Sequence, residues 1–229
     1  MYIIAEAGVN HGGSYRRARE FVRAAKGTGA DAVKFQMFKG LLQEEPHLKE
    51  LYINPAEMLK LKEFCDSIGI DFLCTPFSVM DANILFGMEC KTMKLSHRLN
   101  VELWSYVQSL GVASIVSVLD LAHAKAVRRH MEPLALLYCT PDYPTKVKDV
   151  VLYEMTRIDK LAPMIGYSDH TVGTRIAVQA AKHGADIIEK HMCISPNDYE
   201  AGWSIMPDQF EKMAGEIREA SSHSERRAV

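Results

Sequence analysis

The sequence predicts a (β/α)8 barrel, and three observations lead to that fold. Short apolar strands alternate with amphipathic helices eight times along the chain. The linkers are short, and no low-complexity segment divides the chain, so residues 1–229 are expected to form one domain. A length of 229 residues is sufficient, because such barrels begin at about 200 residues. A doubly wound open sheet is the alternative.

The composition restricts the class of protein. The chain is 48% hydrophobic with a formal net charge of −2, so neither nucleic acid nor an anionic membrane surface is an expected partner. No apolar run approaches the roughly 20 residues of a membrane span, and Glu6 interrupts the N-terminal apolar residues before a signal peptide could form. A cytoplasmic protein is therefore expected. The cysteines show no metal-finger spacing and are predicted to be reduced, small core residues: Cys65, Cys74, Cys90, Cys139 and Cys193.

The first half of the chain contains four predicted strand–helix pairs. The strands cover residues 2–6, 31–36, 70–74 and 90–95, and the helices cover 14–26, 57–67, 81–86 and 101–110. A glycine-rich loop, Gly8–Gly13, follows the first strand but lacks the GxGxxG spacing of dinucleotide sites. Residues 39–54 form a longer mixed loop, and Pro55 is placed well for the first turn of a helix.

The second half repeats the alternation. Strands are predicted at 113–118 and 134–139, with helices from about 121 and at 150–160. Residues 165–191 then form a complete strand–helix–strand unit, with Thr171 as the helix N-cap and His183-Gly184 at the helix end. Pro207 opens a last helix that runs to about residue 220, and residues 221–229 are expected to fray.

Several predicted strands have polar residues on one alternating face, where a barrel core should be apolar. These residues are Glu6, Lys34, Gln36, Lys94 and Ser96. A buried lysine requires an anionic partner. That partner is either internal, as in a Lys34–Glu6 or Lys94–Glu89 ion pair, or a bound phosphate near Thr75, Ser96 and Ser168 at the strand ends. A lysine that instead faces a helix and extends to solvent is a further alternative.

Two histidines stand at the C-terminal ends of neighbouring strands, where α/β folds place their sites. His170 follows one strand and His191 ends the next, with the carboxylates of Asp169, Glu189 and Glu200 nearby. The pair suits a divalent metal with open positions, and imidazole favours zinc, manganese, iron or nickel over magnesium or calcium. Structural, hydrogen-bonded histidines are the alternative. The other histidines in charged surroundings are predicted to be solvated: His47, His123, His130 and His223.

Six motifs, in order along nearly the whole chain, resemble those of the sialic acid synthases, the N-acetylneuraminate synthases and their relatives that make nonulosonic acids. The motifs are IIAEAGVNHGG (3–13), GADAVKFQMFK (29–39), FLCTPF (72–77), LLYCTPDYP (136–144), GYSDHT (166–171) and IEKH (188–191). The resemblance implies a condensation of phosphoenolpyruvate with the open-chain aldehyde of an N-acetylhexosamine, typically N-acetylmannosamine. The products are a nonulosonic acid and inorganic phosphate.

The resemblance also implies roles for individual residues. His170 and His191 match the metal-binding histidines, for which Mn²⁺ is the expected ion and Mg²⁺ or Co²⁺ are alternatives. Glu6 matches the active-site glutamate that orients or deprotonates water, so Glu6, His170 and His191 form the implied catalytic set. Phosphoenolpyruvate would be bound by Lys34, Thr75, Lys94, Ser96 and Ser168, and the sugar by Gln36, Tyr143 and Glu200.

The chain departs from the family pattern in five places, one of which is Glu200 at the position of a family aspartate. Arg98 stands near the position of a family acidic residue, which suggests a more anionic acceptor. Val118-Leu119 replaces a small turn, and Pro141 replaces a polar residue. The sequence stops after the barrel, so the C-terminal antifreeze-like domain is expected to be absent. The partners considered are a second copy, which would pair through the barrel itself, and a separately encoded small domain, which would complete the site. Two hypotheses follow: an active synthase with altered acceptor choice, or a degenerate homologue that binds a ligand or serves as a partner subunit.

Overall fold

A computed structural model describes residues 1–225, and their side chains as far as Ser221. It contains eight strands: β1 (Tyr2–Gly8), β2 (Ala32–Met37), β3 (Asp71–Pro76), β4 (Thr92–Leu95), β5 (Ala113–Val118), β6 (Ala135–Cys139), β7 (Met164–Asp169) and β8 (Ile187–His191). The helices are α1 (Tyr15–Gly27), α2 (Pro55–Ile68), α3 (Val79–Gly87), α4 (Val101–Ser109), α5 (Leu121–Arg128), α6 (Tyr153–Arg157), α7 (Arg175–Lys182) and α8 (Pro207–Glu225).

The strands form a nearly closed parallel barrel, which confirms the predicted (β/α)8 class. The hydrogen-bonded order is β3-β2-β1-β8-β7-β6-β5-β4, so the first strand pairs with both the second and the last. β3 and β4 stand at the two ends of this order and lie side by side. The alternative of a doubly wound open sheet is wrong, because in such a sheet the first and last strands do not pair with each other.

The hydrophobic core has two layers. The larger layer lies between the sheet and the helices and includes the fully buried rings of Phe21, Phe35, Trp104 and Phe210. The smaller layer consists of inward-facing strand residues: Ile4, Ala32, Leu73, Ile115, Ala135, Leu137 and Ile187. These seven residues, called here the barrel floor, lie towards the N-terminal ends of the strands. Polar side chains occupy the inward positions above them, so the fold itself creates a polar chamber at the C-terminal end.

The start of α7 differs from the prediction. The helix begins at Arg175 with Thr174 at the N-cap, and the proposed cap Thr171 lies outside it. Thr171 instead forms an isolated parallel bridge with Thr145, and its carbonyl oxygen accepts a hydrogen bond from Lys190 Nζ. These long-range contacts hold Thr171 in the loop, so the helix starts one turn later.

Other boundaries shift by smaller amounts. Residues 39–54 contain two short 3-10 helices, Lys39–Leu41 and Pro46–Leu51, and α6 is shorter than predicted, with 3-10 turns at Val147–Asp149 and Asp159–Leu161. The backbone of α8 continues to Glu225, whereas fraying was predicted from residue 221. Residues 226–229, the rest of the predicted frayed segment, and the side chain of His223 lie outside the described residues.

Two predictions about single residue types have different outcomes. All five cysteines are buried and unpaired, as expected for small core residues. The prediction that His123 is solvated is wrong, because its side chain is buried against Trp104, with ring centroids 5.9 Å apart. His47 and His130 are exposed as predicted. None of the helices in the described part is both long and apolar enough to cross a membrane.

Candidate active site

A cavity of about 440 Å³ opens at the C-terminal ends of the strands, above the barrel floor. Eleven residues were predicted from sequence to act in catalysis or to bind substrate or metal, and all of them line this cavity: Glu6, Lys34, Gln36, Thr75, Lys94, Ser96, Tyr143, Ser168, His170, His191 and Glu200. Most come from strand positions two residues apart, which face the same side of the sheet. The structure therefore brings the predicted residues together in one chamber.

Lys34 lies between two buried carboxylates. Its Nζ is 3.1 Å from Glu6 Oε2 and 3.5 Å from Glu189 Oε1, and it donates a hydrogen bond to Thr75 Oγ1 at 3.2 Å. Burial alone would lower the pKa of Lys34, but the two carboxylates outweigh burial and raise the pKa to about 12. The internal Lys34–Glu6 ion pair left open by the sequence is thus present, and it forms part of the cavity wall.

Lys94 projects into the same cavity from β4. Its Nζ donates hydrogen bonds to Ser117 Oγ at 2.6 Å and to the carbonyl oxygen of Leu95 at 3.2 Å. Glu189 Oε2 lies 3.9 Å from the same ammonium nitrogen. The alternative Lys94–Glu89 pair is wrong, because Glu89 lies in the turn before β4, at the other end of the strand.

The two deepest carboxylates differ in their electrostatics. Burial raises the pKa of Glu6, and the nearby Lys34 offsets this only in part. Burial acts in the same direction on Glu189, but the ammonium groups of Lys34 and Lys94 outweigh it and hold the pKa of Glu189 at about 2. The lysines therefore favour the anionic form of Glu189, whereas burial favours the protonated form of Glu6.

His170 presents an unprotonated ring nitrogen to the cavity. Its Nδ1 is 2.8 Å from the carbonyl oxygen of Thr140, which only accepts, so the proton is on Nδ1. Ser168 Oγ lies 3.3 Å from Nε2, but its single proton is donated to Glu189 Oε1 at 2.8 Å. Burial, reinforced by His191, lowers the pKa of His170 to about 3, so the ring is neutral and its Nε2 lone pair is free.

His191 is oriented by a carboxylate. Its Nδ1 donates a hydrogen bond to Glu200 Oε2 at 3.2 Å. Burial alone would lower the pKa of His191, but the carboxylates of Glu200 and Glu6 outweigh burial and raise it. A histidine whose Nδ1 is fixed by a carboxylate offers Nε2 as a ligand, which is the usual arrangement around protein-bound metals.

The two imidazoles fit a metal ion. Their ring centroids are 5.6 Å apart, and a metal–nitrogen bond of about 2.1 Å lets rings this close share one ion. No cluster of three or more histidine, cysteine, aspartate or glutamate ligands occurs among the described residues. His170 and His191 would therefore hold a metal through two nitrogens and leave its other positions to substrate or water.

Two loops complete the wall beside the histidines. The ring of Tyr143 lies 4.2 Å from that of His170 and 5.5 Å from that of Trp203, centroid to centroid. The amide of Asn10 accepts a hydrogen bond from the Glu200 backbone N–H at 2.6 Å, and so fixes the loop that follows β8. Gly8 has φ +53°, which favours glycine, and a Cβ there would lie 2.0 Å from Glu200 Oε2 and displace this carboxylate.

The structure also places residues that the sequence argument missed or misplaced. Glu189 was named only as a nearby carboxylate, yet it contacts both lysines; its shared face with His191, two residues on, was the available signal. Ser117, which holds Lys94, and Trp203 had no recognisable signal. Asp169 does not reach the cavity, because it faces away from Ser168 and pairs with Lys190.

The departures from the family pattern also have places in the structure. Arg98 and Pro141 line the cavity. Val118 packs into the core layer between sheet and helices, while its neighbour Ser117 faces the chamber. The bulkier turn after β5 therefore does not fill the cavity.

Comparison with known proteins finds relatives that are named as synthases of nonulosonic acids. The chain is 34% identical to the N,N'-diacetyllegionaminic acid synthase of Legionella pneumophila, over 96% of this chain and 72% of that protein. It is 26% identical to the human N-acetylneuraminate-9-phosphate synthase, over 95% of this chain and 69% of that protein.

Solved structures agree with these relatives. The crystal structure of an N-acetylneuraminic acid synthetase from Leptospira borgpetersenii superposes with a TM-score of 0.91 at 28% identity, and the match covers 96% of this chain and 84% of the other. The NeuB family model matches residues 21–227, which is most of the sequence. The chain belongs to the NeuB family.

Proposed function

We propose that this protein condenses phosphoenolpyruvate with an N-acetylhexosamine-type aldehyde sugar, giving a nonulosonic acid and inorganic phosphate. Family membership supports the reaction class, because the relatives described above are named as synthases of such acids. The single observation that supports it most strongly is the shared cavity of Glu6, Lys34, Lys94, His170 and His191. A simple binding module has no physical need for a base, a histidine pair and two buried lysines together.

Phosphoenolpyruvate would bind deep in the chamber. Lys34 and Lys94 are 5% and 2% exposed, so their ammonium groups are largely removed from competing water. The hydroxyls of Thr75 and Ser96 line the same region and can donate to phosphate or carboxylate oxygens. Ser168 also lines the cavity, but it would have to release its hydrogen bond to Glu189 before it could donate to the substrate. Glu189 favours the charged form of both lysines, although burial outweighs it at Lys94 and lowers the pKa of that ammonium group.

The acceptor aldehyde would lie against the histidine wall, with Gln36, Tyr143 and Glu200 as its contacts. His170 and His191 would hold a divalent ion, Mn²⁺ with Mg²⁺ or Co²⁺ as alternatives, which would supply a Lewis acid for the aldehyde oxygen. C3 of phosphoenolpyruvate forms a bond to the aldehyde carbon, and C2 becomes electron-poor. Water then adds to C2, and the C2–O bond to phosphate breaks to leave the 2-keto acid.

Glu6 is suited to the step in which water is activated. Its carboxyl has a pKa raised by burial, and its Oε1 accepts a hydrogen bond from Gln36 Nε2 at 3.0 Å. A carboxylate with a raised pKa is a better proton acceptor near neutral pH. Glu6 would take the proton from water as oxygen adds to C2, while Lys34, 3.1 Å away, stabilises the carboxylate beforehand.

The test is phosphate release from phosphoenolpyruvate with Mn²⁺ over a panel of N-acetylated and other aldehyde sugars. We expect release that requires both sugar and metal, and that falls at least a hundredfold in His191→Ala. His47→Ala is the matched control, because His47 is exposed and outside the cavity. Absence of release with every sugar, despite bound metal, would contradict the synthase and favour the degenerate homologue.

The proposal also covers the location of the enzyme in the cell and the protein surface that closes its cavity. We infer that the enzyme is cytoplasmic, since its proposed substrates, phosphoenolpyruvate and an aldehyde sugar, are metabolites of the cytoplasm. We also infer that a second copy or a small domain covers the cavity, because Tyr143, which lines it, is 44% exposed. Addition of a candidate small domain should then raise the rate of phosphate release.

A further inference from the structure

Basic side chains line the β4 side of the cavity. His97 and Arg98 follow β4 in the loop that leads to α4, and both line the cavity. Burial lowers the pKa of His97, and the neighbouring cations Lys94 and Arg98 lower it further. Three basic side chains from one strand and its loop therefore converge on this wall.

Arg98 differs from the lysines in its partners. Lys34 and Lys94 each have a glutamate oxygen within 4.0 Å, whereas Arg98 pairs with no carboxylate in the part of the chain that the structure describes. Its guanidinium lies 5.6 Å from the ring centroid of Phe77, a contact that holds the charge at the cavity mouth. Arg98 is thus a positioned and uncompensated cation beside the site.

Arg98 lies nearer the cavity mouth than the two lysines, so it would contact a different part of the bound substrates. The two lysines are almost fully buried, while Arg98 is exposed at the rim. A three-carbon phosphate ester bound by the lysines is too short to extend to the rim as well. The acceptor is a longer chain whose aldehyde end faces the histidines, so its far end lies nearer the mouth.

We propose that Arg98 binds an anionic group, a phosphate or a carboxylate, at the far end of the acceptor sugar. The chain would then prefer a charged acceptor to its neutral counterpart. Arginine suits this role because its planar fork binds both oxyanions with two parallel hydrogen bonds. This inference rests on the proposed function, since it names the acceptor class of the same site.

The test compares N-acetylmannosamine, its 6-phosphate and the corresponding hexuronate as acceptors. We expect wild type to have a higher kcat/KM for at least one of the charged sugars. Arg98→Gln should reduce kcat/KM for that sugar at least tenfold more than for the neutral sugar, mainly through KM, and Arg98→Lys should fall in between. Arg129→Gln is the matched control, because Arg129 is exposed at the end of α5.

Two outcomes would overturn the inference. One is an equal loss on charged and neutral sugars. The other is a rise in KM for phosphoenolpyruvate alone, which would place Arg98 in the phosphoenolpyruvate site. If no sugar supports turnover, the proposed function fails, and calorimetric binding of the same three sugars decides the inference separately: tighter binding of a charged sugar that is lost in Arg98→Gln supports it, and equal binding rejects it.

Discussion

Glu200 acts on the cavity through His191, whose Nδ1 donates to its carboxylate. Glu200→Gln keeps the size of the side chain but removes the charge that makes the imidazole a stronger ligand. We expect Mn²⁺ affinity to fall about 10- to 100-fold, as is typical when the hydrogen-bonding partner of a ligating histidine is replaced. Mn²⁺ titration of the metal-free protein, monitored by electron paramagnetic resonance, measures this affinity directly. Glu44→Gln, at an exposed loop position, is the control, and an unchanged Kd in Glu200→Gln would refute the assigned role.

Gly166 is a position where the addition of a single Cβ atom should destabilise the fold. A Cβ at this site would lie 2.1 Å from the carbonyl oxygen of Ile187 and 2.7 Å from Leu137 Cδ2. The nearer atom is backbone of β8, so it cannot move aside without disturbing the β7–β8 pairing. Gly166→Ala should lower the free energy of unfolding by about 2 kcal/mol or more.

Urea denaturation of Gly166→Ala beside Gly215→Ala measures this effect. Gly215 is an exposed helical position with no atom within 4 Å of the added Cβ, so there alanine should stabilise by about 0.5–1 kcal/mol. Equal effects of the two substitutions would mean that the barrel interior relaxes around the added methyl group.

At the scale of elements, β7 and β8 are joined by a buried ion pair behind the site. Lys190 Nζ lies 3.2 Å from Asp169 Oδ2, and both side chains are fully buried. Asp169 Oδ1 also accepts the Thr171 backbone N–H at 2.8 Å, while Lys190 donates to the Thr171 carbonyl. Because each partner is one residue from a cavity histidine, the pair fixes the spacing of the two strands that present His170 and His191.

Lys190→Met should therefore be strongly destabilising. It leaves the Asp169 carboxylate buried without a counter-ion, and we expect a loss of about 3–5 kcal/mol in the free energy of unfolding at pH 7. The double variant Asp169→Asn with Lys190→Met removes both charges and should recover part of that loss. Lys62→Met, which breaks the partly exposed i,i+4 pair with Asp66, should cost only about 0.5 kcal/mol. A double variant no more stable than Lys190→Met would show that the two charges do not act as a pair.

At the scale of the whole molecule, the sequence predicts those features that depend on residues close together in the chain, and it fails for contacts between distant segments. Alternation along single strands places Glu6, Lys34 and Lys94 on the inward faces, and the barrel follows from eight such units. The partner of Lys94 depends on how β4 faces β8 across the barrel, which no single segment encodes. The prediction of Thr171 as an N-cap is wrong for the same reason, because its contacts with Thr145 and Lys190 are formed only in the folded chain.

The pH dependence of unfolding is also a property of the whole molecule, and His11 makes a defined contribution. His11 follows β1, is 1% exposed, and packs its ring 6.0 Å from that of Phe35. Burial, with a smaller effect from Arg17, lowers the pKa of His11 from 6.5 to about 4. Between these two values the unfolded chain binds a proton that the folded chain does not, so stability is lost as the pH falls through this window.

The expected contribution of His11 is about 3 kcal/mol over the full window, of which most is lost by pH 4.5. His11→Gln cannot titrate, so its stability should fall by about 2 kcal/mol less than that of wild type between pH 7.5 and 4.5. Urea denaturation at the two pH values measures the difference, and the change with pH is independent of any constant cost of the substitution. His130→Gln, at an exposed position, should follow wild type at both values. Parallel losses in wild type and His11→Gln would mean that His11 becomes protonated within the folded barrel, and that the loop after β1 opens to water before the barrel unfolds.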